Sequence, residues 1–269
     1  MDELRLIDTH CHLNLPEYRE DYHYVATRAL DEGIGINNVG CDYASSARAV
    51  EIAQEYLAEP VWASIGQHPT DSSEIFDEKK FEELARSSDR VIAIGETGLD
   101  YYRLPAGEDN SEEIARQKKT FLAHMELAHK LGLPLIIHCR DAHEDVTALL
   151  MHQSGVPAEG VAPKERGVMH CFTGTLQQAQ SYIDLGFLIS FTGIVTFATQ
   201  YDEIIAALPL EKILIETDAP FLTPTPNRGK RNEPVYVERV AEKIAEIKGI
   251  SVGDVAVQTT KNARRLFGV

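Results

Sequence analysis

Residues 4–12 read LRLIDTHCH, an apolar run that ends in two histidines separated by one residue. Because a β-strand projects alternate side chains to the same side, His10 and His12 face one way and Cys11 faces the other. Two imidazoles on one side of a strand end can bind a single metal ion. The stretch therefore predicts a buried strand with a metal site at its carboxyl end.

The same pattern returns at the ends of four later apolar runs, each followed by a side chain that can bind a metal. These side chains are Glu96, His138, His170 and the pair Glu216 and Asp218. In a parallel sheet, successive strands bring their carboxyl ends to one face, so residues distant in sequence become neighbours there. We therefore expect six ligands to converge, namely His10, His12, Glu96, His138, His170 and Asp218.

Apolar strand-like runs alternate with amphipathic helical stretches along the chain, which is typical of a parallel sheet with crossover helices. Eight such runs are centred near Leu6, Ile36, Ala63, Ala93, Ile136, Met169, Ile189 and Leu214. The 269 residues slightly exceed the roughly 250 of a typical eightfold barrel. The pattern predicts an α/β fold, a (β/α)8 TIM-type barrel in a single domain over residues 1–269.

Apolar faces at helical spacing are expected within residues 116–131 and 237–247. Two stretches rich in proline, glycine and polar residues, 104–111 and 154–166, are expected to be extended surface loops.

The charge balance limits the kind of partner. Lys and Arg number 26 against 42 Asp and Glu, a formal net charge of −16. A protein that clamps a long duplex neutralises many phosphates with a basic face, so this composition argues against such a protein. A short phosphate-bearing substrate is not excluded, because metal ions and a few arginines can meet its charge locally.

The chain has no apolar run near the ~18 residues of a membrane span, and its acidic first residues do not resemble a signal peptide. We expect a cytoplasmic protein with no membrane contact and no obligate protein partner. The four cysteines, Cys11, Cys41, Cys139 and Cys171, lack Cys-x-x-Cys spacing. Three of them follow a predicted ligand and are expected to turn toward the barrel wall as small buried side chains.

Four imidazoles and two carboxylates exceed what one catalytic ion takes, so two divalent metal ions (Mg, Mn or Zn) are expected. Glu96 is the expected bridge, because the two oxygens of a carboxylate can reach both ions. His10, His12 and Asp218 are assigned to one ion, and His138 and His170 to the other.

A water between the ions would lose a proton near neutral pH, and the resulting metal-activated hydroxide is the expected nucleophile. Asp218 is both a ligand and the candidate general base, and with Glu96 it is predicted to be catalytic. Glu216 is expected to support a histidine by a hydrogen bond rather than to bind metal.

Three residues are candidates for contact with substrate. His68 follows the third strand and either contacts a substrate oxygen or is hydrogen bonded within its loop. Arg140 follows His138 and either orients substrate or begins a helix. Arg228 belongs to residues 227–232, the densest basic cluster of the chain, and this position favours phosphate recognition over a merely solvated loop.

Five blocks resemble those of the TatD family of metal-dependent deoxyribonucleases, a branch of the amidohydrolase-like barrels. They are DTHCH at 8–12, GETGLDYY at 95–102, HCRDA at 138–142, HCFTG at 170–174 and ETDAP at 216–220, with residues 228–234 following. The resemblance implies a divalent-metal phosphodiester hydrolase, usually a 3′-5′ exonuclease on single-stranded DNA and sometimes RNA. It also implies that the six residues named above are the ligands and that His68 lies near the scissile phosphate.

Two other functions remain open from the sequence. One is an amide, ester or lactone hydrolase of the wider superfamily acting on a small molecule. Several such enzymes bridge their ions with a carboxylated lysine on the fourth strand, where this chain has Glu96. The other is a non-catalytic metal-binding or scaffold protein, against which the complete ligand set argues.

Overall fold

The barrel predicted from the apolar runs is confirmed by a computed structural model, which describes residues 4–72, 74–154 and 165–269. Eight parallel strands pair in sequence order. They are β1 Leu6–Cys11, β2 Ile34–Val39, β3 Val61–Ile65, β4 Val91–Asp100, β5 Leu135–Arg140, β6 Gly167–Met169, β7 Phe187–Phe191 and β8 Ile213–Ile215. A parallel bridge between Cys11 and Ala219 brings the chain after β8 back to β1 and closes the barrel. Each predicted strand centre lies within an observed strand.

Among the described residues, seven α-helices lie between consecutive strands, and two more follow β8. They are α1 Tyr22–Asp31, α2 Tyr43–Glu55, α3 Glu78–Arg86, α4 Ser111–Leu131, α5 His143–Ser154, α6 Leu176–Asp184 and α7 Asp202–Ala207, and then α8 Val237–Lys248 and α9 Val252–Phe267. Short 3-10 helices occur at Pro16–Tyr18, Gly193–Thr196, Thr199–Tyr201, Leu210–Lys212 and Pro234–Tyr236.

The two predicted helical faces are present, although α4 begins five residues before the predicted stretch, at Ser111. Residues 104–110 form the predicted loop before that helix. Residues 155–164 of the other predicted loop lie outside the described residues, so that prediction stays a prediction. In the part of the chain that is described, no helix combines the length and the hydrophobicity needed to traverse a bilayer.

The apolar core has two parts, as expected for a packed barrel surrounded by helices. The larger part joins strand side chains such as Ile36 and Ile94 to the inner faces of the helices. The smaller part joins Ile136, Val168 and Leu214 to Leu266 and Phe267 of α9. Because successive side chains on a strand alternate, His138, His170 and Glu216, each two residues later, share a face with these three strand residues. His138 lies within β5, while His170 and Glu216 directly follow β6 and β8.

Candidate metal centre

Five of the six predicted ligands lie at or just beyond the carboxyl ends of β1, β5, β6 and β8. The sixth, Glu96, lies within β4, because that strand does not end at the apolar run but continues to Asp100. His10, His12, Glu96 and His170 are buried, while His138 and Asp218 are partly exposed. Their nitrogen and oxygen atoms form overlapping groups that could hold a metal, among them His10, His12 and Asp218, and separately Glu96, His138 and His170. Strand order alone thus assembles the cluster, because neighbouring strands carry the residues of each group.

Glu96 lies between two sets of histidines. Its Oε1 is 3.0 Å from His138 Nδ1 and 3.6 Å from His170 Nε2. Its Oε2 is 3.5 Å from His10 Nε2 and 3.9 Å from His12 Nε2. Burial alone would raise the pKa of Glu96, but the surrounding histidines lower that pKa well below its usual value. The carboxylate is therefore ionised, and its two oxygens face different pairs of rings.

Asp218 lies on the turn that follows β8. Its Oδ1 is 3.3 Å from His12 Nε2 and 3.9 Å from the Nε2 atoms of His10 and His170. The backbone of Asp218 is left-handed, with φ 56°, a conformation that aspartate tolerates better than most residues. Its N–H donates to the carbonyl of His10 over 2.9 Å, so the turn is fixed to β1. The bend aims the carboxylate back toward the strand ends.

Three of the histidines are held through the ring nitrogen that faces away from the cluster. Nδ1 of His12 donates to the carbonyl of Val39 over 2.8 Å. Nδ1 of His170 is 2.7 Å from Glu216 Oε1, and Nε2 of His138 is 3.1 Å from Asp100 Oδ2. A proton held on the outward nitrogen leaves the lone pair of the inward nitrogen free for a metal.

The charge around these rings favours a cation. Burial alone would lower the pKa of His170, but Glu216, Glu96 and Asp218 raise that pKa to about 9. Burial likewise opposes the charging of His138, yet hydrogen bonds to Asp100 and Glu96 raise its pKa. Buried carboxylates that draw protons onto neighbouring imidazoles would stabilise a metal ion at the same nitrogens.

The spacing of the nitrogens also fits a metal. Two nitrogens bound to one zinc ion at about 2.0–2.1 Å lie roughly 3.0–3.4 Å apart. Nε2 of His10 and Nε2 of His12 are 3.2 Å apart. The donor set of imidazoles and carboxylates is the one that zinc and manganese accept. The residues present therefore fit divalent metal ions.

The cluster forms the floor of an open cavity of about 880 Å³. His12, Glu96, His138, His170 and Asp218 are among its lining residues. Apolar and charged side chains line its upper part, including Tyr102, Arg103, Arg140, Phe221 and Leu222. A substrate can thus reach the predicted ligands from solvent.

His68 lies beside the cluster, with Nε2 3.5 Å from Glu96 Oε1. Its Nδ1 accepts from the backbone N–H of Thr70 over 3.2 Å and contacts Thr70 Oγ1 at 2.7 Å. Burial lowers the pKa of His68 to about 4, so the ring is neutral near pH 7 and carries its proton on Nε2. Because His68 lines the cavity, that N–H, which lies beside Glu96, can donate to an oxygen bound there.

The loop that carries His68 is held by His124 of α4, a residue with no predicted role. Nε2 of His124 accepts from the backbone N–H of Gln67 over 3.0 Å. Nδ1 of His124 donates to the carbonyl of Thr120 over 2.8 Å. Since burial lowers the pKa of His124 to about 4, the ring stays neutral and keeps both bonds.

The two predicted substrate arginines lie in different places. Arg140 lines the cavity and its guanidinium stacks on Tyr102, 3.7 Å from the ring centre. Arg228 is not among the described residues that line the cavity; it stacks on Phe197 at 3.6 Å and donates to the carbonyl of Thr223. Neither arginine forms an ion pair with a carboxylate in the described residues.

The remainder of the basic cluster at 227–232 takes part in the fold. Arg231 donates to Asp21 over 2.6 Å and lies over the ring of Tyr18. The amide of Asn232, which is fully buried, donates to the carbonyls of Thr217 and Phe221. The segment therefore anchors the loop after β8 and is not simply a free basic patch.

The expectation for the cysteines is correct in part. Cys11 and Cys139 are buried, although Cys139 also borders the cavity. Cys171 is only partly buried and lines the cavity, so the expectation that it faces the barrel wall is wrong. The reason is its left-handed backbone, with φ 44°, which interrupts strand alternation directly after His170.

Two buried acidic side chains with no predicted role, Asp100 and Asp8, support the cluster. Oδ2 of Asp100 contacts His138, as described above. Asp8 accepts from the N–H of Thr217 over 2.8 Å and from its hydroxyl over 2.6 Å, which joins β1 to the turn that carries Asp218. Both are fully buried within strands, and an acidic residue directly after an apolar residue was the available signal.

The sequence and the fold of this chain are similar to those of known proteins. Residues 7–268 match the family model described as TatD related DNase. A Bacillus subtilis (strain 168) protein named "Uncharacterized metal-dependent hydrolase YabD" is 42% identical, covering 98% of this chain and 99% of its own length. The "3'-5' ssDNA/RNA exonuclease TatD" of Shigella flexneri serotype 5b is 34% identical, covering 98% and 99%.

A solved structure of a TatD homologue has the same fold. The crystal structure of YJJV, a TatD homologue from Escherichia coli K12, superposes with a TM-score of 0.87 at 29% identity and covers 99% of each chain. The match of the family model over almost the whole sequence confirms the resemblance carried by the five sequence blocks. This chain belongs to the family of TatD-related DNases.

Proposed function

We propose that this protein is a divalent-metal-dependent phosphodiester hydrolase that removes nucleotides from the 3′ ends of single-stranded DNA or RNA. The observation that carries the proposal is the position of Glu96, whose two oxygens face two separate pairs of histidines at the floor of an open cavity. Membership of the family and the exonuclease names of relatives at about a third identity support the same reaction.

Two metal ions are part of the proposal. His10, His12 and Asp218 would hold one ion, and His138 and His170 the other, with Glu96 between them. The grouping follows the contacts of the two Glu96 oxygens. The imidazoles suit zinc, while the carboxylates suit manganese and magnesium. When bound, such ions supply water of lowered pKa and offset the charge of a phosphate.

The chain's own residues would divide the remaining work. Burial alone would raise the pKa of Asp218, but the hydrogen bond to His12 and the charge of His170 lower it, so its carboxylate is ionised at neutral pH. It would accept the proton of the attacking water. The neutral ring of His68 would donate its Nε2–H to a phosphate oxygen, because His68 lines the cavity and its Nδ1 already accepts from Thr70.

Arg140 would bind the phosphate of the incoming strand. Its guanidinium is held by stacking on Tyr102 and by no carboxylate of the described residues, so its charge is available at the cavity. The overall charge of −16 repels long nucleic acid, which favours a short single-stranded end over an extended duplex. Arg228 lies farther out and would contact the strand beyond the cavity. A cytoplasmic location stays a prediction.

The proposal is tested with 5′-labelled single-stranded DNA and RNA oligonucleotides and protein loaded with Mg, Mn or Zn. Progressive shortening from the 3′ end is expected for the wild type. Asp218→Asn and Glu96→Ala should lose at least about a hundredfold in rate, the scale of a lost general base. Circular dichroism would check that both variants are folded.

The matched control is Glu112→Ala, a change of the same type at an exposed position on α4. This variant should digest both oligonucleotides at the wild-type rate. If wild-type protein with bound metal leaves DNA and RNA intact, the proposal is wrong.

A further inference from the structure

We propose that Phe221 is the stacking platform for a nucleobase that flanks the scissile phosphate. The inference rests on the proposed phosphodiester hydrolysis and adds to it a residue that selects substrate by its base. Phe221 follows Asp218 by three residues, lines the same cavity and carries a side chain that is 48% exposed.

The backbone of Phe221 is fixed on both sides. Its N–H donates to the carbonyl of Asp218 over 2.8 Å, and its own carbonyl accepts from the side-chain amide of Asn232 over 2.6 Å. Asn232 is fully buried, so this anchor does not move with the surface. The backbone that carries this bulky apolar ring is therefore held in a defined place, although about half of the residue is exposed. A ring held in this way at a cavity wall can bind a partner with little loss of conformational entropy.

The ring stands next to the predicted metal ligands. Its centre is 6.2 Å from the centre of the His12 ring, and the two planes meet at 64°. An edge-on contact of this kind leaves a face of the phenyl ring available. A base is joined to its phosphate through one sugar, so a phosphate bound at the histidine cluster places a base at the surrounding cavity wall.

Phe221 differs from two other exposed aromatic side chains, Tyr102, which also lines the cavity, and Phe197, which is not among the lining residues. The ring of Tyr102 is covered by the guanidinium of Arg140, and that of Phe197 by the guanidinium of Arg228. In the described residues, no cation lies over Phe221 and its one aromatic neighbour is His12. Of these three rings, Phe221 is thus the one that no cation covers, while the arginines over the other two carry charge that would attract the strand.

A phenyl ring has no hydrogen-bonding group, so it recognises the flat face common to all bases. Stacking of this kind contributes to single-strand binding with little preference for sequence. We therefore expect Phe221 to distinguish ends that carry a base from ends that lack one, and to distinguish the four bases weakly.

The test compares kcat/KM of the wild type and of Phe221→Leu on two single-stranded oligonucleotides. One is natural, and in the other the two 3′-terminal nucleotides lack bases. Base stacking on aromatic residues is worth a change of roughly 5- to 150-fold by substitution. The loss caused by Phe221→Leu should be of that size on the natural end and absent on the abasic end, and Phe221→Trp should restore activity on the natural end.

Tyr24→Leu is the matched control, because Tyr24 is an exposed aromatic residue on α1 that does not line the cavity. Its activity on both oligonucleotides should equal that of the wild type. If Phe221→Leu loses the same factor on natural and abasic ends, or loses nothing on either, the stacking inference is wrong while the proposed hydrolysis stands. If the wild type cleaves neither DNA nor RNA, the proposed function fails, and this inference fails with it.

Discussion

Replacement of Glu216 by glutamine should weaken metal binding about tenfold without unfolding the protein. Glu216 is buried, and its Oε1 contacts His170 Nδ1 at 2.7 Å and accepts from the N–H of Cys171 over 2.7 Å. Glutamine keeps the size of the side chain and an oxygen that can accept both bonds. It removes the charge that holds the His170 proton on the outward nitrogen.

The magnitude follows from that single contact. A hydrogen bond to a charged group contributes about 1.5–3 kcal/mol and a neutral one about 0.5–1.5 kcal/mol. The loss of roughly 1–1.5 kcal/mol corresponds to about a tenfold increase in Kd. This lies at the lower end of the 10- to 100-fold range known for carboxylates that support a metal-binding histidine.

The assay is competition with a coloured chelator, which gives the Kd of each bound ion, together with the melting temperature of each variant. Glu112→Gln, on the exposed face of α4, is the control and should bind metal as the wild type does. An unchanged Kd in Glu216→Gln would refute the reasoning. An equal loss in Glu112→Gln would refute it as well.

Three further predictions follow from residues around the site. Gly98→Ala should lower the free energy of unfolding by at least about 1–3 kcal/mol in urea denaturation, because Gly98 has φ 139° and a Cβ would strike the carbonyl of His138; a loss below about 0.5 kcal/mol would contradict this. The pKa of His124, lowered by burial from 6.5 to about 4, keeps the ring neutral in the fold while the unfolded chain binds a proton. The free energy of unfolding should therefore fall by roughly 2 kcal/mol more in the wild type than in His124→Gln between about pH 7.5 and 5, and equal falls would refute this. Arg140→Gln should reduce the slope of log affinity for single-stranded DNA against log salt by about 0.7, the value for one phosphate contact; an unchanged slope would mean that Arg140 does not bind phosphate.

Where the strands are regular, the alternation of side chains along a strand was sufficient to predict which way the ligands face. On β5, β6 and β8, Ile136, Val168 and Leu214 face the barrel interior, so His138, His170 and Glu216 two residues later do as well. The expected support of a histidine by Glu216 agrees with its contact with His170. These directions can be predicted from the sequence because residues i and i+2 of a regular strand point to the same face.

Simple alternation alone is not enough to predict the side-chain directions of His10, His12 and Glu96, because the pairing register shifts near each of them. The register of β1 with β2 shifts between Asp8 and Cys11, and that of β4 with β5 shifts between Ile94 and Thr97. Irregularities of this kind re-aim side chains, and one sequence does not reveal them. The convergence of these ligands was predicted from their position at strand ends rather than from their phase.

Contacts between distant residues were beyond sequence reasoning. The bonds of Asp8 to Thr217 join residues 209 positions apart, and the contact of Asp100 with His138 crosses from β4 to β5. Cys171 lines the cavity because its backbone is left-handed, a conformation that no local sequence pattern predicts. These features depend on how strand ends meet, so a three-dimensional structure was needed to find them.

The number of divalent ions bound per chain tests whether the predicted ligands form one shared centre for two metal ions. Plasma mass spectrometry of zinc- or manganese-loaded protein after dialysis should give about two ions per wild-type chain, the number expected of a site bridged by one carboxylate. The double variant His10→Ala, His12→Ala should retain at most one, because the contacts of Glu96 with His138 and His170 remain. Less than one ion on the wild type, or two on both proteins, would contradict the shared centre.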